Sequence, residues 1–474
     1  MTSPFLDLLA RSQSSIDLDD RTVTGPELVA AGRELVTEWM ADGLQPGDRI
    51  GLWLPNGRRY LEALAACAAG GFAAVSVNTR WSPDEVDVLL GRSGARLLRT
   101  AVEDRALDPD GGPAGGTLAL DDDQPFVIFT TSGTTSRPKM VLHGQHSIVD
   151  HAHDAGRAFG YGPDTPVLVA MPLCGVFGLA SLTAAVAADA PIILPSTIDP
   201  AAIASTVEQR RVAVINGSDD LFHRMLATGA DLSSIRVGGF ARFNTSLDGI
   251  VARAEARGMI LTGLYGMSEV QALYSLRDPT APAEVRERAG GTAVSPRADV
   301  RVVDGELQLK GPSLFAGYLA EGGSQVDAEL TAANFADGGW FRTGDAAVMD
   351  EPARDGRPTF TYRTRMGDVL RLGGFLVAPA EIESVLVTFD GIEAAQVVAV
   401  DRPTGARPVA FVIGRFDGDE SAVIDHCAAR LARYKVPIRV LVVDEFPTTP
   451  SANGTKIQKV RLREMAAAAL AAER

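Results

Sequence analysis

Lysine is scarce in this chain of 474 residues, although basic residues are not. Lys and Arg together number 45, and lysine stands only at positions 139, 310, 435, 456 and 459. Arginine offers a planar fork of donors, whereas lysine offers a compact point charge on a flexible stem. A chain that prefers arginine so strongly is expected to use lysine where only a point charge fits.

Cysteines and long apolar runs are also few. The three cysteines, Cys67, Cys174 and Cys427, are far apart, which excludes a disulfide framework and a cysteine metal cluster and favours a reducing compartment. The first residues lack the charged and apolar regions of a signal peptide. No run approaches the roughly 20 apolar residues that span a bilayer. The sequence therefore predicts a cytoplasmic protein without a membrane span.

Positive charge is in deficit, with 60 acidic residues and a formal net charge of −15. Proteins that bind nucleic acid generally present a basic surface, so a nucleic-acid partner is disfavoured. A single local pocket could still hold a nucleotide. The length exceeds the roughly 250–300 residues of one core, which predicts at least two domains.

Strand-like and helix-like segments alternate over most of the chain. Strands are expected at 49–54 and 73–77, and helices at 58–69 and 83–91. Further short apolar runs lie at 167–170, 191–194 and 212–215. This alternation predicts α/β architecture with largely parallel sheets.

The pattern changes after Trp340. A polar loop at 350–357, a helix at 379–389 and later short strands and helices predict a small α+β module that begins near 363–368. Boundaries of this kind are accurate to a few residues.

The stretch 130–139 contains six hydroxyl residues, Gly133 and Lys139, and it follows the apolar run 126–129. A buried strand that leads into such a turn can bring backbone N–H groups, hydroxyls and one ammonium onto phosphate oxygens. The alternative is an ordinary polar surface loop.

Three further blocks carry groups suited to a nucleotide. Tyr265 offers an aromatic face, Ser268 a hydroxyl and Glu269 a hard oxygen ligand for Mg²⁺ beside phosphates. Asp345 could accept hydrogen bonds from a ribose diol, and Arg365 could bind the same ribose or a phosphate. Taken alone, each block also fits an ordinary loop. A fifth block, 453–459, is expected to be a turn and carries two of the lysines.

Together the five blocks resemble, in order and spacing, the superfamily of acyl-CoA synthetases, peptide-synthetase adenylation domains and luciferases. The resemblance extends from Gly47 to Lys456, and Lys310 and Lys435 also fall in its motifs. It implies a large N-terminal domain over 1–364, built from two α/β subdomains and a small β-barrel-like part. It also implies a small mobile α+β C-terminal domain over 368–474, with a hinge near Gly367.

The resemblance implies a reaction and its site. A carboxylic acid reacts with ATP and Mg²⁺ to give acyl-AMP and pyrophosphate, and a thiol of CoA or phosphopantetheine then takes the acyl group. The implied catalytic residues are Lys456, Glu269 and Lys139, with Glu269 as the metal ligand. The implied nucleotide contacts are Thr131, Ser132, Gly133, Thr134, Thr135, Lys139, Gly239, Phe240, Tyr265, Gly266, Ser268, Asp345, Arg365 and Lys456. The implied acid pocket is lined by Cys174, Gly175, Phe177, Gly239, Gly263, Gly266 and Met267.

The chain departs from the family pattern at several positions. Ser136 replaces a glycine of the phosphate loop, and Gly367 replaces the usual Asp or Lys of the hinge. Thr455 is inserted before the catalytic lysine, which makes Lys459 the fallback candidate. Cys174 and Gly175 stand where many acyl-CoA synthetases have an aromatic residue and a histidine.

These departures affect the expected substrate. The Cys–Gly pair opens the pocket, and no aspartate is present there to bind an ammonium, so an α-amino acid is disfavoured. Cys174 is expected to line the pocket and not to act as a nucleophile, because no His/Asp pair accompanies it. Of the clustered histidines, His143 falls where the family often has one, and His146, His151 and His153 are expected on the next helix.

The sequence thus predicts an AMP-forming acid–CoA ligase, with a small-molecule acid as substrate. An adenylation enzyme that loads a carrier protein and an enzyme that transfers an unusual acid to an amine remain alternatives. A non-catalytic nucleotide-binding relative is disfavoured by Lys139, Glu269, Asp345 and Lys456. A P-loop NTPase is disfavoured because the glycine spacing does not match.

Overall fold

The structure of the protein is a computed structural model. It describes residues 3–99, 118–121, 123–130, 139–242, 249–372, 375–402, 406–415, 420–451 and 454–471.

Helices and strands alternate through this part of the chain. The helices are α1 (Pro4–Arg11), α2 (Gly25–Ala41), α3 (Arg58–Gly70), α4 (Pro83–Ser93), α5 (Gln145–Ala158), α6 (Val176–Ala187), α7 (Pro200–Arg210), α8 (Asp219–Leu226), α9 (Ile250–Glu255), α10 (Ala283–Arg286), α11 (Ala328–Ala332), α12 (Pro379–Leu386), α13 (Glu420–Ala428) and α14 (Lys459–Ala471). The strands are β1 (Ser15–Asp17), β2 (Thr22–Thr24), β3 (Arg49–Trp53), β4 (Ala73–Ser76), β5 (Ala95–Arg99), β6 (Pro125–Thr130), β7 (Met140–Gly144), β8 (Val167–Val169), β9 (Ile192–Ile193), β10 (Val214–Ser218), β11 (Val237–Ala241), β12 (Leu261–Met267), β13 (Gln271–Leu276), β14 (Gly290–Ala293), β15 (Asp299–Val303), β16 (Glu306–Lys310), β17 (Gly317–Tyr318), β18 (Phe335–Ala336), β19 (Trp340–Met349), β20 (Thr359–Arg365), β21 (Leu370–Leu372), β22 (Phe375–Val377), β23 (Ile392–Val400), β24 (Arg407–Gly414), β25 (Val440–Val442), β26 (Thr448–Ser451) and β27 (Gly454–Ile457).

The larger sheet has two halves with different strand directions. Its parallel half runs β12-β11-β10-β8-β9-β1, as expected for strands joined through helices. Beyond β12 the order β13-β14-β20-β19-β16-β15 is antiparallel throughout. The expectation of largely parallel sheets therefore holds for the α/β half, and hairpins build the rest.

The smaller sheet runs β17-β7-β6-β4-β3-β5. Strands β5, β3, β4 and β6 are parallel, whereas β7 and β17 are antiparallel additions at one edge. One apolar core contains residues from both sheets, including Ile50, Phe126, Val167 and Val214, together with helices α1, α2, α3, α5 and α6. Helices packed between two sheets give the large α/β domain that the sequence predicts.

The C-terminal part of the chain forms a smaller α+β unit. Strands β23, β24 and β25 form a sheet, and α12 and α13 share an apolar core with it. Helix α14 packs on the other side through Leu462, Ala466 and Leu470. A short 3₁₀ turn, Met366–Asp368, connects β20 to this unit.

Local sequence signals explain several elements. Ser82 caps α4: its side chain accepts from the Glu85 N–H, and the Glu85 carboxylate accepts from the Ser82 N–H. Pro83 occupies the first turn, and Gly94 ends the helix in the left-handed conformation. The expected polar loop at 350–357 does connect two long strands, β19 and β20.

Two sequence expectations were wrong in detail. The strand expected at 212–215 is β10, which begins two residues later. The expected turn at 453–459 is instead strand β27, followed by the start of α14 at Lys459. Thr455 and Ile457 favour extended backbone, and β27 pairs antiparallel with β26.

Among the helices of the described residues, none combines the length and the apolar character that a membrane span requires.

Candidate active site

The candidate site lies where the two sheets approach one another. Strand β12 ends at Met267, and the chain turns through Ser268 and Glu269 before it returns as β13. In the other sheet, Thr130 of β6 pairs with Met140 of β7. Lys139 directly precedes β7, at the end of the two strands where the chain passes from β6 to β7. Carboxyl ends of parallel strands commonly form ligand sites, and β11 and β12 end here.

Glu269 is held from both its backbone and its side chain. Its carbonyl oxygen accepts a hydrogen bond from the Phe315 N–H at 2.8 Å. The Tyr318 hydroxyl donates to Oε1 of the carboxylate at 2.9 Å. The residue is only 6% exposed. A carboxylate fixed in this way is already oriented for a ligand.

His143 fixes the peptide immediately before Glu269. Its Nε2 lies 2.7 Å from the Ser268 carbonyl oxygen, which can only accept, so Nε2 carries the proton. Its Nδ1 lies 3.2 Å from the Ser147 hydroxyl. Burial lowers the pKa of His143 to about 4, so the ring is neutral at physiological pH. His146, His151 and His153 lie on α5, as expected.

The Lys139 side chain is partly buried near Glu269. Its Nζ lies 4.3 Å from the ring centroid of Tyr318 and 3.4 Å from Oδ1 of Asn334. Burial lowers the pKa of Lys139, and the Glu269 charge partly opposes that effect. Ammonium and carboxylate thus face one another across a tyrosine.

Asp345 and Arg365 meet because their strands pair in register. They are opposite one another on β19 and β20, and Arg365 Nε lies 3.1 Å from Oδ1 of Asp345. The other carboxylate oxygen accepts a 2.6 Å hydrogen bond from the Tyr265 hydroxyl. Gly344 has a φ of +68°, a conformation that favours glycine, and it directs the chain into Asp345.

Burial and neighbouring charges shift the pKa values of Tyr265 and Arg365 in this cluster. Burial raises the pKa of Tyr265 well above its usual value, and the Asp345 charge adds to the effect. Partial burial alone would lower the pKa of Arg365, but Asp345 and its neighbours raise it overall. The tyrosine therefore stays protonated as a donor, and the arginine stays charged. The Tyr265 ring packs edge-on against Phe360.

The glycines assigned to the acid pocket are tightly packed by the protein itself. A Cβ on Gly263 would lie 2.2 Å from the Arg288 carbonyl oxygen, and one on Gly266 would lie 2.6 Å from Ala272 Cα. On Gly239 it would lie 2.5 Å from the Asn216 side chain. Close packing within the protein is therefore sufficient to explain why Gly239, Gly263 and Gly266 have no side chain, with or without a bound acid.

Cys174, Gly175 and Phe177 lie at the start of α6. Gly175 is its N-cap residue, and Cys174 and Phe177 are buried. Burial raises the pKa of the Cys174 thiol to about 11, so the thiol is protonated at neutral pH. That state agrees with the expectation that Cys174 is not a nucleophile.

The two C-terminal lysines lie on different elements, Lys456 on β27 and Lys459 at the start of α14. Lys459 forms an ion pair of 3.0 Å with Glu383, whose side chain is 4% exposed and also accepts from the Val397 N–H. Lys456 lies on β27, opposite Thr449 of β26.

Several expected site residues lie outside the described residues. These are Thr131, Ser132, Gly133, Thr134 and Thr135, together with Ser136. Phe240 is buried on β11 beside Gly239, at the carboxyl end of that strand. Met267 ends β12, and the Tyr265 hydroxyl lies 3.4 Å from its sulfur.

The donor set fits a Mg²⁺–nucleotide complex better than a free metal site. The described residues contain no group of three or more metal-binding side chains. Mg²⁺ beside phosphates needs only one or two protein carboxylates, and Glu269 supplies one. Asp345, Arg365 and Lys139 add the hydrogen-bonding and positive groups that a nucleotide requires.

Sequence reasoning missed Tyr318, which contacts both Lys139 and Glu269. A signal was present, because Tyr318 follows the block that contains Lys310. Its meaning depends on the pairing of β17 with β7, which places Tyr318 opposite Val141.

Known proteins provide an independent comparison. The chain matches the AMP-binding enzyme family over residues 16–319, and the AMP-binding enzyme C-terminal domain over residues 381–453. It is 30% identical to the 3-[(3aS,4S,7aS)-7a-methyl-1,5-dioxo-octahydro-1H-inden-4-yl]propanoyl:CoA ligase of Mycobacterium tuberculosis, over 97% of this chain and 98% of that protein. It is 32% identical to a feruloyl-CoA synthase of an Amycolatopsis species, over 90% of this chain and 91% of that protein.

A solved structure shows the same fold. The O-succinylbenzoate coenzyme A synthetase of Bacillus subtilis, in complex with ATP and magnesium ion, superposes with a TM-score of 0.82. The alignment covers 98% of this chain and 99% of that chain at 24% identity. Fold, sequence match and site geometry agree, and the chain belongs to the AMP-binding enzyme family.

Proposed function

We propose that the protein is an AMP-forming carboxylate–CoA ligase. The observation that carries this proposal is that Lys139, Glu269, Asp345 and Arg365 form one group of interacting charges, in which Arg365 pairs with Asp345 and the charge of Glu269 acts on both Arg365 and Lys139. A site with one fixed carboxylate, one ribose-type acceptor and two cations suits ATP with Mg²⁺. The relatives named above, which are CoA ligases, support the reaction class.

In the first step a carboxylate oxygen of the acid attacks the α-phosphorus of ATP. The bond from that phosphorus to the bridging oxygen breaks, and pyrophosphate leaves with the negative charge. Asp345 and Arg365 hold the ribose, and Lys139 binds phosphate oxygens. Glu269 would hold Mg²⁺, which when bound would neutralise charge on the phosphates.

Lys456 is the proposed catalytic lysine. A positioned ammonium lowers the repulsion between the acid and the phosphates, and it stabilises the charge that develops in the transition state. The ion pair of Lys459 with the buried Glu383 supports this choice, because it ties Lys459 into the C-terminal core. Of the two C-terminal lysines, Lys456 is therefore the one that we assign to the nucleotide.

In the second step the sulfur of a thiol attacks the acyl carbonyl of acyl-AMP. AMP leaves, and the thiol proton is released. CoA is the proposed acceptor, and a carrier-protein pantetheine thiol is the alternative. We place the enzyme in the cytoplasm, where ATP and CoA are available.

Lys456→Ala tests the proposal directly. The variant should lose at least about 100-fold in acid-dependent ATP–pyrophosphate exchange, since one preorganised charge contributes several kcal/mol to a transition state. Binding of ATP, measured by calorimetry, should remain detectable. The acid panel should include aryl and alicyclic carboxylates, because the names of the relatives describe such acids.

Lys459→Ala is the matched control. It should keep most exchange activity but lower the melting temperature, because it removes the ion pair that Lys459 forms with the Glu383 carboxylate, whose side chain is 4% exposed. Loss of exchange in Lys459→Ala with normal activity in Lys456→Ala would reverse the assignment. Exchange with no thioester product when CoA is added would shift the proposal to a carrier protein or an amine acceptor.

A further inference from the structure

Tyr318 contacts both Lys139 and Glu269, the two oppositely charged residues that we assign to the phosphates and to Mg²⁺. It lies on β17, whose pairing with β7 places it opposite Val141, two residues after Lys139. Its hydroxyl donates to Glu269 Oε1 at 2.9 Å, and its ring lies 4.3 Å from Lys139 Nζ. Tyr318 is 1% exposed, so both contacts are made from a fixed position.

The two contacts use different parts of the same side chain. The ring attracts the ammonium through its quadrupole, and that attraction strengthens when water is excluded. The hydroxyl occupies one oxygen of the carboxylate. Oε1 of a carboxylate accepts, so the Tyr318 hydroxyl is the donor of this hydrogen bond.

We propose that Tyr318 is a positioning residue for the metal–nucleotide complex. Its hydroxyl orients Glu269 for Mg²⁺, and its ring keeps Lys139 from pairing directly with that carboxylate. The inference rests on the proposed function, because it assumes that Glu269 is the metal ligand. It goes further by assigning two separable tasks to a residue outside the expected site.

The geometry explains why both tasks matter. Glu269 and Lys139 carry opposite charges and attract one another. A direct ion pair would neutralise the ligand of Mg²⁺ and the cation for the phosphates at once. A hydroxyl on Oε1 also leaves Oε2 for the metal. Mg²⁺ demands near-ideal octahedral geometry, so a single fixed oxygen suits it.

Tyr318→Phe tests the hydroxyl alone. The probe is Mn²⁺, whose free concentration is followed by electron paramagnetic resonance with enzyme and the α,β-methylene analogue of ATP. Loss of a hydrogen bond to a metal ligand typically weakens metal affinity about 10–100-fold, and we expect a loss of about 10-fold. Binding of the same analogue in EDTA should stay unchanged, because the ring remains under Lys139.

Tyr318→Leu removes the ring as well. This variant should weaken Mn²⁺ binding to a similar degree, and it should also weaken analogue binding in EDTA by several-fold. Analogue binding in EDTA should therefore fall in Tyr318→Leu and not in Tyr318→Phe. General damage to the fold would instead weaken both Mn²⁺ binding and analogue binding in both variants. Equal loss of EDTA binding in Tyr318→Phe would overturn the division of tasks.

Tyr274→Phe is the matched control. Tyr274 is 2% exposed and belongs to the same apolar core as Tyr318. Its hydroxyl has no hydrogen-bond partner among the described residues. The same chemical change should therefore leave Mn²⁺ binding unaltered. A loss equal to that of Tyr318→Phe would show that any buried tyrosine of this core matters, and would overturn the inference.

Glu269→Gln distinguishes this inference from the proposed function. If Glu269→Gln weakens Mn²⁺ binding and Tyr318→Phe does not, the positioning role is wrong and the metal ligand stands. If neither variant weakens Mn²⁺ binding, the metal role of Glu269 fails and the inference fails with it. Weaker binding in both variants, with Tyr274→Phe unchanged, supports both.

Discussion

At the scale of single residues, Asp345 combines two kinds of contact that a sequence cannot display. It accepts a hydrogen bond from Tyr265 of β12 and forms an ion pair with Arg365 of β20. Each oxygen faces one partner, because Oδ2 accepts from the Tyr265 hydroxyl and Oδ1 faces the Arg365 guanidinium. The residue types were predictable from the motifs, but the hydrogen bond between Tyr265 and Asp345 was not.

Asp345→Asn should weaken ATP binding about tenfold. The amide keeps one acceptor for Tyr265 but loses the charge that attracts Arg365 and that would strengthen a hydrogen bond from the ribose, and hydrogen bonds to charged groups are worth about 1.5–3 kcal/mol. Isothermal titration with ATP measures the change. An unaltered dissociation constant would mean that the pair is structural and does not hold the nucleotide.

Asp350→Asn provides the control on the same hairpin. Asp350 pairs with Arg277 at 2.7 Å, and the Arg277 side chain is 4% exposed. This variant should lower thermal stability and leave ATP affinity unchanged. A similar loss of affinity in both variants would indicate a general weakening of the β19–β20 hairpin.

At the scale of elements, the sequence predicted helices with local capping signals, but it did not predict short strands that only their pairing defines. Helix α4 could be predicted because its capping residues are local. Strand β17 is two residues long and has no periodic pattern, so only its pairing with β7 defines it. The error at 453–459 has the same origin, since β27 is only four residues long and its pairing with β26 defines it.

The turn Met366–Asp368 is the proposed hinge, and Gly367→Ala tests it. A Cβ at Gly367 would meet no atom within 4 Å, and its φ is not positive. Alanine should therefore raise the free energy of unfolding by about 0.4–1 kcal/mol through the unfolded chain. If the turn is a hinge, thioester formation should slow several-fold while pyrophosphate exchange is unchanged, because alanine allows fewer backbone conformations.

Gly43→Ala is the control for the stability effect of Gly367→Ala. Its Cβ would also meet no atom within 4 Å, but its φ is +88°, so alanine should destabilise the protein. Chemical denaturation measures both variants. Equal rates of the two half-reactions in Gly367→Ala and the wild type would place the hinge elsewhere.

At the scale of the whole molecule, the site depends on the approach of two sheets that the sequence specifies separately. Alternating strands and helices predicted the α/β class and the small C-terminal unit. They could not predict that β7 and β17 would lie against the turn after β12. That approach is made by His143, Phe315 and Tyr318, whose contacts join residues distant in the sequence.

The buried histidines of this region should make the fold sensitive to acid. Burial lowers the pKa of His151 to about 4, while its Nε2 donates to the Ala272 carbonyl at 2.6 Å. An unfolded chain accepts the proton near pH 6.5, and the native state does so only near 4. Stability should therefore be complete above pH 6.5 and fall as the pH drops from 6.5 to 4. Each such histidine contributes about 1.4 kcal/mol per pH unit.

His151→Gln isolates this contribution, because glutamine offers an N–H donor but does not titrate. Urea unfolding at pH 7.5, 6.5, 5.5 and 5.0 should give a pH dependence that is shallower than the wild type by about 1.4 kcal/mol per unit below pH 6.5. His153→Gln, at an exposed position of the same helix, should reproduce the wild-type slope. Parallel curves for wild type and His151→Gln would mean that His151 titrates normally in the native state, and that the contact between α5 and β13 does not exclude the proton.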